Sequence, residues 1–327
     1  MIVILSTLNG QGRIGEMLDA VHRLRIPAGT TFHIVDNFSE DGTIDVVKHH
    51  AERLPIVLHS HATRGKNNCL NYVLNKLVDH LDPEELVVFT DDDILPSPGW
   101  LEEIAAAAQA HPECSVFAGR ILPHWPSCGV EHLEPVRDYF DVLFTLTSHA
   151  EGPIDCALAW GPNMAIRASV FQAGYRYDGR FGPNGTLGYP MGSETELMER
   201  LDKAGYKAWF AECAVVRHMV REAQTEPAAV IQRAFRHGYG AGWRRQRGEG
   251  WLRLVFSGWE AFRGVASARV RRLWSGPRKC LKQDYCETWA RGFYFGALYE
   301  YRASRQAFRQ EEDFPERREE IRSQLSD

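Results

Sequence analysis

Short apolar runs alternate with helical patterns along the first part of the chain. The runs cover residues 2–5, 32–35, 56–58 and 86–89, and apolar residues at helical spacing follow them. This alternation predicts an α/β fold with a mostly parallel, doubly wound sheet and helices on both faces. Ligands of such sheets bind beyond the carboxyl ends of the strands. The polar residues that follow each run are therefore the first candidates for function.

The pattern changes towards the carboxyl end of the chain. Residues 122–162 are rich in Pro, His and Trp and have poor periodicity, which predicts irregular structure around a site. Residues 194–204 return to helical spacing, and the region after residue 225 is helical and basic without a strand signal. We therefore expect two domains, an α/β catalytic domain over residues 1–224 and a helical, basic extension over residues 225–327.

The strongest local signal is a run of three acids, Asp91, Asp92 and Asp93, directly after the fourth apolar run. Adjacent carboxylates repel one another unless a cation neutralises them. Mg²⁺ and Mn²⁺ suit such oxygen ligands and complete their shells with phosphate oxygens and water. The run predicts a divalent metal site that holds a diphosphate, and a solvated acidic turn is the alternative.

Further polar motifs occur in a fixed order around this acidic run. They are residues 7–9 (TLN), 35–43 (VDNFSEDGT), 64–71 (RGKNNCLN), 160–167 (WGPNMAIR) and 192–197 (GSETEL), and His218 follows them. Their order and spacing resemble glycosyltransferase family 2, the inverting enzymes with the GT-A fold, over about residues 1–220. The family's usual forms are T-x-N, D-N-x-S-x-D-G-T, G-K-x-x-x-L-N, D-x-D, G-x-N-M-A-x-R and E-D-x-E-L.

The resemblance implies a nucleotide-binding role for residues of the first three motifs. Thr7 and Asn9 would approach the nucleotide, and Asp36 would hydrogen-bond the base. Arg64 would lie beside the base or the diphosphate, with Lys66 nearby. Each residue type also has a plain structural use, because Thr, Asn and Asp form turns and caps and a lysine can begin a solvated helix.

The resemblance also implies roles for residues around the metal and the donor sugar. Asp91 and Asp92 would touch the ribose or the outer shell of the metal, and Asp93 would bind the Mn²⁺ or Mg²⁺ ion directly. His218 would meet the metal or the diphosphate, and Asn163 would lie by the donor sugar. A histidine satisfied within the core is the alternative for His218.

Glu194 is the candidate catalytic base. The family pattern has a Glu-Asp pair whose second acid is the usual base, and here the pair is Ser193 and Glu194. Glu194 keeps a carboxylate with one more methylene group of reach. Residues two apart on a helix point away from each other, so Glu196 cannot face the same acceptor. A favourable charge at a helix N-terminus is the alternative for Glu194.

Composition limits the classes of partner. The chain has 327 residues, 44% hydrophobic and 25% charged, and a formal net charge of −5, which does not indicate a nucleic-acid binder. Between residues 228 and 282, however, 13 Lys or Arg residues stand against two acids, which predicts a surface that meets something anionic. Within residues 251–274 an apolar stripe predicts either a helix on an anionic membrane surface or packing against another element.

The remaining features concern location. Seven cysteines form no C-x-x-C pair, which favours a reducing compartment. We find no signal-peptide pattern and no apolar stretch near the roughly 20 residues that span a bilayer. We expect a cytoplasmic protein, or one peripheral on the inner face of the cell membrane.

These observations predict an inverting, metal-dependent glycosyltransferase of bacterial polysaccharide or glycolipid synthesis. Its donor would be a nucleotide-diphosphate sugar, with UDP-sugars favoured, and its acceptor a saccharide or a lipid-linked molecule. A sugar-phosphate nucleotidyltransferase is one alternative, although its Gly-rich basic loop is only weakly matched by residues 9–13. An inactive sugar-nucleotide-binding relative is another, because Ser193 departs from the family pattern.

Overall fold

A computed structural model of the protein describes residues 1–186, 188–273 and 280–313. Within them, nine strands form one sheet. The strands are β1 (Ile2–Thr7), β2 (Thr31–Asp36), β3 (Ile56–Ser60), β4 (Leu86–Phe89), β5 (Ile94–Pro96), β6 (Val116–His124), β7 (Gly152–Ile154), β8 (Met164–Arg167) and β9 (Ala208–Met219).

Eleven α-helices accompany the strands in these residues. They are α1 (Gln11–Val21), α2 (Thr43–Ala51), α3 (Lys66–Leu77), α4 (Trp100–Ala110), α5 (Phe140–Phe144), α6 (Ala168–Gln172), α7 (Ser193–Lys203), α8 (Glu222–Thr225), α9 (Pro227–Gln246), α10 (Trp251–Leu273) and α11 (Cys280–Asp313). Short 3-10 helices cover Val78–His80, Glu131–Tyr139, Cys156–Leu158 and Gly161–Asn163.

The sheet has the strand order β3-β2-β1-β4-β8-β6-β9-β5, and β7 also pairs with β9. Strands β3, β2, β1 and β4 are parallel, as the βα alternation predicts. Strand β8 is antiparallel to both β4 and β6, and β5 and β7 are antiparallel to β9. The sheet is therefore parallel in its amino-terminal half and mixed beyond β4.

Helices cover both faces of the sheet, and the residues of β1 alternate between the two cores. Val3 and Leu5 pack in one core with residues of α1, α2 and α4. Ile2 and Ile4 pack in the other with residues of α3, α6 and α7. The period of two in β1 thus matches a strand buried on both faces.

A bulge interrupts the pairing of β6 with β9 between Gly119 and Arg120. Gly119 pairs with Ala211, whereas Arg120 pairs with Val215, so three residues of β9 have no opposite residue there. A bulge re-aims the strand that carries it. The second half of β9 then pairs with β5, which places His218 opposite Ile94 and next to the acidic run.

The chain divides into two compact units, Met1–Val230 and Ile231–Asp327. Compact units are not by themselves domains, because a domain is a part of the chain that could fold alone. The predicted domains, residues 1–224 and 225–327, stay a prediction. Among the described helices, none has both the length and the apolarity needed to cross a membrane.

Glycines bring two helices of the second unit close together. A Cβ atom at Gly238 or Gly242 of α9 would overlap a carbonyl oxygen of α11. Conversely, a Cβ atom at Gly292 or Gly296 of α11 would overlap a carbonyl oxygen of α9. Each helix thus carries a small-xxx-small pair that allows its partner's backbone to approach, a pattern best known from membrane helices.

Candidate active site

The carboxyl ends of the parallel strands bring the predicted motifs to one edge of the sheet. Thr7 ends β1, Asp36 ends β2, and the acidic run follows β4. Lys66 begins α3 beyond β3, and Ser193 begins α7. The structure therefore assembles, at the edge where ligands of such sheets bind, residues that lie far apart in sequence.

Lys66 links the acidic run to the candidate base. Its Nζ atom lies 2.6 Å from Oδ1 of Asp91 and 2.8 Å from Oε1 of Glu194. Burial alone would lower the pKa of Lys66, but the two carboxylates outweigh burial and raise it. In the same way, burial would raise the pKa of Glu194, and the lysine charge lowers it instead. Burial raises the pKa of Asp91, and the lysine only partly opposes this.

The start of α7 positions the Glu194 carboxylate. Gly192 has a φ of 95°, in the left-handed region, and turns the chain into the helix. The Ser193 hydroxyl donates a hydrogen bond of 2.7 Å to Oε2 of Glu194. A side chain at Gly161 would overlap the Glu194 carboxylate. Glu196 points elsewhere and pairs with Arg200, as expected for residues two apart on a helix.

Asp92 is held by residues of the first loop. The Thr7 hydroxyl donates a hydrogen bond of 2.6 Å to one oxygen of Asp92, and Arg13 donates one of 2.8 Å to the other. Burial, supported by the charge of Asp93, raises the pKa of Asp92 to about 6 despite Arg13. A Cβ atom at Gly10 would lie 2.5 Å from the Thr7 hydroxyl oxygen, so only glycine fits there. Both oxygens of Asp92 thus have protein partners.

Asp93 faces His218. Nε2 of His218 lies 3.4 Å from Oδ1 of Asp93, and its Nδ1 atom donates a hydrogen bond of 2.6 Å to the carbonyl oxygen of Phe144. Because a carbonyl only accepts, Nδ1 carries the proton and Nε2 is directed at Asp93. Burial would raise the pKa of Asp93, but His218 outweighs it and lowers that pKa to about 2.

This pair has the donor set that a divalent metal needs. Ligand bonds of about 2.1 Å place neighbouring ligands of one ion about 3 Å apart, close to the 3.4 Å that separates the two atoms. The carbonyl behind Nδ1 is the usual outer partner of a ligating histidine. Within the part of the chain that the structure describes, no cluster of three or more His, Cys, Asp or Glu side chains forms a ligand set. Mg²⁺ sites with one or two protein ligands are completed by substrate phosphates.

The first two loops hold each other through their polar residues. The Asp36 carboxylate accepts the backbone N–H groups of Phe38 and Ser39 at 3.1 and 3.2 Å, which forms a turn. Oδ1 of Asn9 accepts the N–H of Glu40 at 2.8 Å. Both residues therefore have a structural use here, and contact with a base stays a prediction for them.

Arg64 lies on the surface of this region, and the described residues include no ion pair to its guanidinium group. Asn37 holds the loop that carries it. The Asn37 amide donates to the carbonyl oxygens of His61 and Thr63, and its oxygen accepts the N–H of Gly65 at 2.8 Å. Gly65 has a φ of 126°, which a glycine adopts without strain. The loop that carries Arg64 is therefore braced, and contact of Arg64 with a nucleotide stays a prediction.

Asn163 has hydrogen-bond partners within the protein for both its amide group and its carbonyl oxygen. Its side chain is fully buried, its oxygen accepts a hydrogen bond of 2.7 Å from the Trp100 indole, and its amide donates to the carbonyl oxygens of Arg120 and Ala214. Both donors are used inside the protein at the β6–β9 bulge. Asn163 therefore stabilises the bulge that turns β9 towards the acidic run, and its contact with a donor sugar stays a prediction.

Two polar residues of the site were missed by the sequence patterns. Arg13 neutralises Asp92 from 79 residues away, and Asn37 braces the loop that carries Arg64. Arg13 stands in the first turn of α1, directly after a Gly-rich stretch, and Asn37 stands inside a recognised motif. Their positions in or next to those motifs were the signal that could have identified Arg13 and Asn37. A position in the sequence does not, however, reveal which side chain a residue contacts.

The amino-acid sequence matches the model of Glycosyl transferase family 2 over residues 2–174. The chain therefore belongs to glycosyltransferase family 2. The predicted family and the predicted α/β fold class of GT-A type are confirmed.

Individual relatives are distant. A glucosyl-dolichyl phosphate glucuronosyltransferase of Haloferax volcanii is 23% identical over 184 residues, which are 56% of this chain and 57% of that protein. This chain thus matches little more than half the length of that curated relative.

Two solved structures show the fold. The mannosyltransferase PcManGT of Pyrobaculum calidifontis, in complex with GDP-Man and Mn²⁺, is 19% identical with a TM-score of 0.58, over 89% of this chain and 86% of that one. Residues 1–349 of TarS from S. aureus, in complex with UDP-GlcNAc, are 13% identical with a TM-score of 0.51, over 93% and 91%.

Proposed function

We propose that the protein is an inverting glycosyltransferase that moves a sugar from a nucleotide-diphosphate donor to an acceptor hydroxyl group. The observation that carries the proposal is the Lys66 bridge. It joins Asp91 of the acidic run to Glu194 at distances of 2.6 and 2.8 Å, so the expected diphosphate site and the expected base share one edge of the sheet. Family membership supports the same reaction class.

Glu194 acts as the general base in this proposal. Its carboxylate takes the proton of the acceptor hydroxyl as that oxygen forms a bond to the anomeric carbon. The bond from this carbon to the diphosphate oxygen breaks at the same time, and the nucleoside diphosphate leaves with the electron pair. Because attack comes from the side opposite the leaving group, the anomeric configuration inverts.

The ionic partners of Glu194 suit this role. Lys66 and Ser193 hold the two carboxylate oxygens, so the side chain is fixed and charged before an acceptor arrives. A base held in one geometry loses less entropy when it reacts.

Asp93 and His218 would hold Mn²⁺ or Mg²⁺. When bound, the ion would offset the negative charge that develops on the diphosphate leaving group. The Mn²⁺ in the PcManGT complex supports this choice. We assign Thr7, Asn9, Asp36, Arg64, Lys66, Asp91 and Asp92 to the nucleotide side of the same site.

The donor and the acceptor are proposed from the relatives. UDP-sugars are the first donors to test, and the UDP-GlcNAc complex of TarS supports them, whereas GDP-Man in PcManGT makes guanine donors the next choice. The acceptor is a saccharide or a lipid-linked molecule of bacterial polysaccharide or glycolipid synthesis. A lipid-linked acceptor agrees with the name of the Haloferax volcanii relative. It also favours a cytoplasmic protein that is peripheral on the inner face of the membrane.

A product assay tests the proposal. The protein is incubated with a panel of nucleotide sugars, with Mn²⁺ or with chelator, and nucleoside diphosphate and pyrophosphate are quantified separately. We expect metal-dependent release of nucleoside diphosphate, lost in Asp93→Ala and retained in the surface control Asp202→Asn. Pyrophosphate released in a parallel incubation with a nucleoside triphosphate and a sugar 1-phosphate would identify a nucleotidyltransferase. Metal-dependent binding of a nucleotide sugar without any release would identify an inactive relative.

A further inference from the structure

Helix α10 carries two apolar stripes on opposite sides. Ser257, Ala261, Gly264 and Ala268 form a stripe of small residues with spacings of four, three and four. Leu252, Val255, Trp259 and Phe262 form a stripe of large residues with spacings of three, four and three. Both spacings are those of one helix face, and the stripes are about half a turn apart.

The stripe of small residues is the one that packs inside the unit. Ser257, Ala261 and Ala268 are buried, and a Cβ atom at Gly264 would lie 3.0 Å from the Cβ of Ala290 on α11. Ion pairs reinforce this contact, because Arg269 pairs with Glu287 of α11. Small side chains thus let α10 lie close to α11.

The stripe of large residues is exposed. Trp259 is 58% and Phe262 is 62% exposed, and Leu252 and Val255 are similar. Trp251, at the beginning of the helix, is also exposed. Contiguous large apolar side chains on one side of a helix are rarely left in water without a function. Helix α11 therefore leaves the large residues of the predicted apolar stripe exposed.

The charge of the helix indicates what covers this face. Helix α10 contains five arginines and one glutamate. Arg269 and Arg272 pair with acids of α11, whereas Arg263 lies exposed beside the large residues. The wider region from residue 228 to residue 282 has 13 basic residues against two acids. Two copies of this helix face to face would bring like charges together. Phosphate-bearing lipids would instead complement them.

We propose that this face of α10 binds the surface of a membrane that contains anionic lipids. The large residues enter the boundary between headgroups and acyl chains, and Arg263 remains at the phosphate level. Trp251 and Trp259 suit this depth, because indole rings favour the membrane–water interface. The helix lies along the surface, since no described helix is fit to cross a bilayer.

Vesicle flotation of the full chain tests the proposal. Vesicles of phosphatidylcholine alone are compared with vesicles that also contain phosphatidylglycerol, and bound protein is quantified in the floated fraction. We expect binding to the anionic vesicles at least about tenfold above binding to the zwitterionic ones, and weaker binding in high salt. The assay needs no sugar donor, so its result does not depend on the proposed transferase activity.

Two matched variants place the contact on α10. Trp259→Glu adds a negative charge within the exposed stripe, and Ser267→Glu adds the same charge at an exposed position outside both stripes. We expect Trp259→Glu to lower vesicle binding at least about tenfold and Ser267→Glu to lower it much less. Both should keep the parent's melting temperature, because neither side chain is buried.

Three results would overturn the proposal. The first is equal flotation of Trp259→Glu and the parent, and the second is equal binding to anionic and zwitterionic vesicles. The third is a parent that is dimeric in size-exclusion chromatography, does not float, and becomes monomeric in Trp259→Glu. That last result would show that a second copy of the chain covers this face.

Discussion

Each of the two compact units is held together by a different kind of contact. In Met1–Val230, charges leave water in pairs: Asp91 with Lys66, Asp92 with Arg13, and Asp93 with His218. In Ile231–Asp327, helices α9 and α11 instead meet backbone to backbone through four glycines. Removing a buried charge from the first unit should therefore change its chemistry, whereas adding a methyl group to the second should change its stability.

The largest effect is expected at Glu194. Glu194→Gln keeps the shape of the side chain and removes the proton acceptor. We expect the rate of sugar transfer to fall by roughly 10²–10⁴-fold, with donor binding retained in a thermal-shift assay. Asp202→Asn, an exposed change on the same helix, should keep the parent rate. A Glu194→Gln protein that transfers sugar at nearly the parent rate would show that another group is the base.

The second unit should be most sensitive at Gly242. A Cβ atom there would overlap the carbonyl oxygen of Phe293, a backbone atom that cannot rotate away. We expect Gly242→Ala to lower the free energy of unfolding by about 3 kcal/mol, measured by urea denaturation. Gly250→Ala, where nothing lies within 4 Å of the added atom, should cost under about 1 kcal/mol. Equal effects of the two would refute the close packing of α9 and α11.

A smaller loss is expected at Asn163. Asn163→Ala leaves the Trp100 indole and the carbonyl oxygens of Arg120 and Ala214 without their partner. We expect a loss of about 2 kcal/mol in the free energy of unfolding. Asn75→Ala, on the surface, should cost well under half of that. Unchanged stability with a raised donor KM would instead support the sugar contact that the family resemblance implies.

The smallest effect concerns pH. Burial, with Arg244 and Arg233, lowers the pKa of His237 in α9 from 6.5 to about 4. Its Nδ1 atom accepts a hydrogen bond of 3.2 Å from the Trp289 indole, so protonation there would break it. Between pH 6.5 and about 4 the unfolded chain binds a proton that the folded protein does not, and stability therefore falls as the pH falls.

Urea unfolding at several pH values measures this effect. His237→Gln, which cannot be protonated, should show a shallower loss of stability between pH 6.5 and 5, by about 1 kcal/mol. An identical pH dependence of the variant and the parent would contradict the assignment.

The sequence predicted the half of the sheet whose strands alternate with helices. Strands β1 to β4 appear as apolar runs followed by polar motifs, and this order places Lys66 and Asp91 at one edge. Strands β6, β8 and β9 were not predicted. Their antiparallel pairing depends on partners distant in sequence, and the bulge in β9 leaves no periodic signal.

The partners of individual side chains were harder to predict than the position of the site. Asn163 lies in a motif that the family resemblance places by the donor sugar, but its amide turns into the bulge, and only the local backbone course determines this. The sequence showed the apolar pattern of α10, but not which of its two opposite stripes, the small residues or the large ones, packs against another helix. The small residues pack because they allow the closer approach, which a count of hydrophobicity does not reveal.

The three acids after β4 have a consequence for how the gene can change. Each successive carboxylate meets a different basic side chain: Lys66, then Arg13, then His218. A point mutation in one codon affects one of these pairs. An insertion or deletion of one codon before the run would shift all three acids by one position, so that each carboxylate would lose its own basic partner. Selection should therefore tolerate changes in the length of this loop less than changes in any single residue of it.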